Sequence, residues 1–80
     1  MTDIQAKIAG LLKEKKSNAA IPEDAYENLL DSGIIDSFDI VDLIDSLENL
    51  FGIQIDGDDI IPENFESIDA IARLVEKSRP

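Results

Sequence analysis

The chain is 80 residues long and 44% hydrophobic, enough for one domain, 1–80, that buries only about 60–65% of its unfolded surface and has no second lobe to wall a deep substrate pocket. It contains no His and no Cys, which excludes imidazole base catalysis, thiolate chemistry, disulfides and Cys/His zinc sites for the bare chain. The net charge of −11 is concentrated: the 56 residues from Ser17 to Ala72 hold 15 acids and no Lys or Arg, which disfavours nucleic acid and membrane insertion and favours basic protein surfaces as partners.

In chain order, residues 2–16 predict a helix, with Ile4, Ile8, Leu11 and Leu12 on one stripe. Thr2 or Asp3 suits its cap, and Lys13, Lys15 and Lys16 suit the negative end of its dipole. Gly10 weakens it by up to about 1 kcal/mol against Ala and offers another helix a close approach. A long connection follows from Ser17-Asn18, which ends the helix, to Ile35. Within it Ile21-Pro22 is extended, Ala25 to Leu30 predicts a helical turn burying Tyr26, Leu29 and Leu30, and Asp31-Ser32-Gly33 is a turn. Ile34-Ile35 should tether this loop to the core. No apolar run of about 18 residues is present. The opening Met1-Thr2-Asp3-Ile4 lacks the regions of a signal peptide, so a cytoplasmic monomer is expected.

The central helix is predicted over residues 37–51, with Gly52 stopping it. At about 100° per residue from Asp39, the residues Ile40, Leu43, Ile44, Leu47, Leu50 and Phe51 form a core stripe, while Asp39, Asp42, Asp45 and Glu48 fall opposite. Val41 stands among the acids. It is either the flank of a wide core stripe or an apolar contact ringed by carboxylates, as in a docking face. Ile53-Gln54-Ile55 is a short apolar bridge. A polar turn begins at Asp56-Gly57-Asp58-Asp59, and Ile60-Ile61 predicts a brief helix before Pro62 to Phe65. The last helix runs from a Ser67 cap to Lys77, with Ile68, Ile71, Ala72 and Val75 buried. The fold class is all-α, a small helical bundle of three main helices plus one or two short ones with a long first loop.

Ser37, between Asp36 and Asp39, has three conceivable roles. It can cap the helix, although Asp36 can do the same. As a nucleophile it lacks a His, its neighbours oppose an oxyanion, and the cations lie near the chain ends in sequence. As an attachment point for a phosphodiester it needs only an exposed hydroxyl at a helix start, where N–H groups and the dipole tolerate an anion.

Asp36-Ser37-Phe38, with Leu43, Leu47 and Phe51 and the closing Phe65-Glu-Ser-Ile-Asp-Ala-Ile-Ala72 segment, resembles the acyl carrier proteins over nearly the whole chain. That resemblance implies a four-helix bundle with a short third helix, and a non-catalytic carrier bearing 4′-phosphopantetheine on Ser37. The arm comes from coenzyme A through a magnesium-using phosphopantetheinyl transferase. Asp36, Phe38 and Asp39 would be read by that transferase. Val41, Asp42, Asp45 and Glu48 would dock on basic patches of ketosynthase-type enzymes or of acyl- or aminoacyl-activating ligases, in fatty acid, polyketide or related synthesis. The pattern departs from housekeeping fatty-acid carriers at Ile34-Ile35, Phe38, Asp45 and Leu50, and in a longer Asp56–Glu66 segment; it is similar to specialised stand-alone carriers. An acidic adapter without a prosthetic group is the alternative. A calcium loop is disfavoured because Asp56-Gly57-Asp58-Asp59 puts Gly second rather than sixth, so no metal is expected.

Overall fold

The computed structural model describes residues 1–17 and 20–79; Asn18, part of the expected helix end, lies outside them. The first helix, α1, spans Asp3–Lys15. Thr2 is its cap: Thr2 Oγ1 accepts from the Gln5 N–H at 3.1 Å while Gln5 Oε1 accepts from the Thr2 N–H at 3.0 Å. Ile8, Ala9 and Leu12 are buried, with Ile4 and Leu11 at the stripe's edge.

Helix α2, Ser37–Phe51, starts and stops where the sequence places it. Gly52 closes it in the left-handed region at φ 64°, where a side chain would be strained, and its N–H donates to the Glu48 carbonyl. Helix α3, Ile68–Ser78, is capped by Ser67 Oγ, which accepts from the Ala70 N–H at 3.0 Å. Its expected stripe is buried, and Leu74 joins it. The stripe is wide because α3 lies against both α1 and the Pro62–Phe65 turn.

The short helix expected at Ile60-Ile61 is displaced. Two 3-10 turns, Gly57–Asp59 and Pro62–Phe65, flank the isoleucine pair, whose side chains are substantially exposed. Pro62 starts the second turn without needing an N–H donor. Phe65 ends it in the core, where leaving water contributes about 1.5–3 kcal/mol. The bundle is therefore three α-helices with a pair of 3-10 turns in place of a short helix, and no strand among the described residues.

The first loop is pinned by backbone bonds. The Leu29 N–H donates to the Glu66 carbonyl at 2.6 Å, and the Asp69 N–H to the Ala25 carbonyl at 2.8 Å. Asn28 Oδ1 accepts from the N–H groups of Leu30 and Asp31, and Gly33 turns the chain at φ 79°. Leu29 and Ile35 are wholly or nearly buried, Leu30 and Ile34 half so. The expected burial of Tyr26 is wrong. The segment is a turn, with Asp24 Oδ1 accepting from the Tyr26 N–H, and it sends Ala25 inward and leaves Tyr26 71% exposed.

Candidate functional site

The site begins with Asp36. Its Oδ1 accepts from the Phe38 and Asp39 N–H groups at 2.9 and 3.0 Å, and Asp39 Oδ2 accepts from the Asp36 N–H at 2.9 Å. This reciprocal box satisfies the start of α2 without Ser37. Ser37 is thereby the first helical residue, exposed, and among the described residues its hydroxyl has no hydrogen-bond partner. The same box corrects one expectation. Two of the N–H groups foreseen for an anion are already taken by Asp36, so the helix end offers chiefly its dipole and its exposure.

Down the helix, Phe38 is 85% and Val41 70% exposed. Val41 is thus an exposed apolar residue among acids rather than the flank of the core. Asp42 and Asp45 are exposed beside it. Glu48 is drawn elsewhere. It is half-buried, and its Oε2 accepts from the Ile55 N–H at 2.9 Å, fastening the segment after α2. Leu50 also leaves its expected place and is 48% exposed. It borders a surface groove with Lys7, Gly10, Leu11 and Glu14, where Gly10 has no side chain to cover it.

Two cations reach this face that sequence position did not foretell. Lys15 Nζ lies 2.6 Å from Asp42 Oδ2, and Lys16 Nζ 2.8 Å from Asp39 Oδ1. Partial burial works to raise the Asp39 pKa, but the Lys16 hydrogen bond, its charge and the donors from Asp36 together hold it below the ordinary carboxylate value. The Asp39 hydrogen bond raises Lys16 above its ordinary value. The only hint in the sequence was that Lys15 and Lys16 stand at the end of a helix.

Two acids of Asp56–Asp59 have structural work. Asp56 Oδ1 accepts from the Asp58 N–H at 2.9 Å, and Asp59 Oδ1 pairs with Lys77 Nζ at 2.7 Å. Among the described residues no His/Cys/Asp/Glu group of three or more is gathered around a metal position, and no helix is long and apolar enough to cross a membrane.

A covalent arm needs an accessible, uncommitted hydroxyl on a rigid frame, and Ser37 meets that requirement. Comparison with curated proteins finds no match. The family model described as the phosphopantetheine attachment site matches residues 2–75. The match takes in α1, α2 with the serine at its start, and α3 as far as Val75, and the chain belongs to the phosphopantetheine-attachment family, as a carrier domain for covalent 4′-phosphopantetheine.

Proposed function

We propose that Ser37 Oγ is the attachment atom, and that the chain shuttles thioester-bound acyl or aminoacyl intermediates between biosynthetic enzymes in the cytoplasm. The observation that carries this is the division of roles at the start of α2: Asp36 holds the cap, so the Ser37 hydroxyl is exposed and uncommitted. The arm supplies a thiol to a chain that has no cysteine. In the transfer, Ser37 Oγ forms a bond to phosphorus as the bond from that phosphorus to the nucleotide breaks. The hydroxyl proton leaves to a base of the transferase, since Asp36 and Asp39 are engaged in the capping box. Phe38, Val41, Asp42 and Asp45 form the docking face, an apolar centre with a charged rim for an enzyme with a basic patch. The partners are the transferase and then ligase- or ketosynthase-type enzymes of fatty acid, polyketide or related lipid synthesis.

Intact mass after co-expression with a phosphopantetheinyl transferase tests this. Wild type should gain one phosphopantetheine, and Ser37→Ala none, with its helical circular dichroism unchanged because Asp36 still caps. An unmodified wild type would favour an acidic adapter without a prosthetic group.

A further inference from the structure

Two ion pairs cross the α2 face. Asp39 and Asp42 are three residues apart, hence neighbours on the helix surface, and each is held by one lysine from the end of α1. Lys7 and Lys13, on the same helix, make no ion pair among the described residues and are exposed. The Asp42 side chain keeps 66% of its surface open even while paired, so an incoming group reaches it without unfolding anything. The pairing uses Asp42 Oδ2. A lysine is a point charge with no planar fork, whereas a guanidinium engages both carboxylate oxygens at once.

We propose that Lys15 and Lys16 are internal counter-ions that compete for the docking carboxylate Asp42 and for Asp39 beside it. Asp42 and Asp39 are occupied until a partner displaces the lysines, and the face thereby selects surfaces that present arginine guanidinium groups. This rests on α2 being the docking face of the proposed function. The lysines mask the charge that a weakly basic surface would use, while an arginine at Asp42 gains a bidentate contact that a lysine lacks; Asp39, whose Oδ2 stays with the Asp36 N–H, offers its Oδ1 alone. After displacement the two ammonium groups turn to water, toward which their side chains are already partly exposed, by 23% and 32%.

The test uses a hexa-arginine peptide, with affinity from calorimetry and α2 backbone amide shifts to locate binding. Lys15→Gln/Lys16→Gln should bind the peptide more tightly than wild type, by about two- to five-fold for each ion pair removed. Lys7→Gln/Lys13→Gln, which changes the net charge by the same amount, should tighten it clearly less. Equal tightening in the two double variants would mean that net charge alone is at work and overturns the proposal, as does unchanged or weakened binding in Lys15→Gln/Lys16→Gln. If that variant loses helical signal, Lys15→Arg/Lys16→Arg decides the matter: its stronger self-pairing should hold affinity at or below that of wild type, and tighter binding rejects the competition. The serine reading is separable. A wild type that takes up no phosphopantetheine, yet shows the expected peptide series, loses the attachment site and keeps the counter-ions; a loaded wild type with equal tightening does the reverse.

Discussion

Ser37 and Asp36 share a helix start, and the outcome depends on which of them caps it. Because Asp36 does, Ser37 carries no structural duty that a covalent arm would disturb. Asp36→Ala should therefore cost about 0.5–2 kcal/mol, read as a lower urea midpoint, while Asp36→Asn should stay within a few tenths of wild type. The Asp39–Lys16 pair has its own pH signature. Asp39 is depressed below the ordinary 3.8, so its contribution is complete above that pH and is lost as pH falls through the folded value. Lys16 is raised above 10.5, so its contribution is complete below that pH and is lost as pH rises through the folded value. The stability difference between wild type and Asp39→Asn should be largest between about pH 5 and 9 and shrink toward both extremes. A difference that stays constant with pH in denaturant titrations would show that the pair does not form.

Among the elements, α1 departs from its sequence reading at one position. Gly10 was expected to admit a neighbouring helix, yet nothing lies within 4 Å of where its Cβ would be. Gly10→Ala should accordingly stabilise the protein by roughly 0.5–1 kcal/mol, seen as a higher thermal midpoint, and a destabilised variant would reveal a contact at that position. In α2 the periodicity read in sequence holds over its first three turns. It gives way near the end, where Leu50 faces an uncovered groove and Glu48 turns to Ile55. A helical wheel assigns faces from spacing alone and has no knowledge of where neighbouring elements stop.

The molecule has a radius of gyration of 11.3 Å, against about 11.6 Å expected for its length, so its acids are crowded onto a small body. Four ion pairs form among the described residues, and they leave most of the 18 carboxylates without a cation. Like-charge repulsion then outweighs those pairs, each worth no more than about 1 kcal/mol at a surface. Raising NaCl from about 10 mM to about 0.5 M, which shortens the screening length severalfold, should raise the melting temperature; a fall would show that the ion pairs dominate.

The sequence by itself determined the three α-helices, the Gly52 and Ser67 boundaries, the buried stripe of α3 and the serine between two acids, because caps and periodicity are local properties of the chain. It also carried the family pattern. Tertiary structure alone decided which acids stay open, and that two lysines at the end of α1 lie across the face beside Ser37. Those outcomes depend on where a long first loop returns the chain, and on competition between neighbouring groups for the same hydrogen bonds. Spacing along a sequence encodes neither.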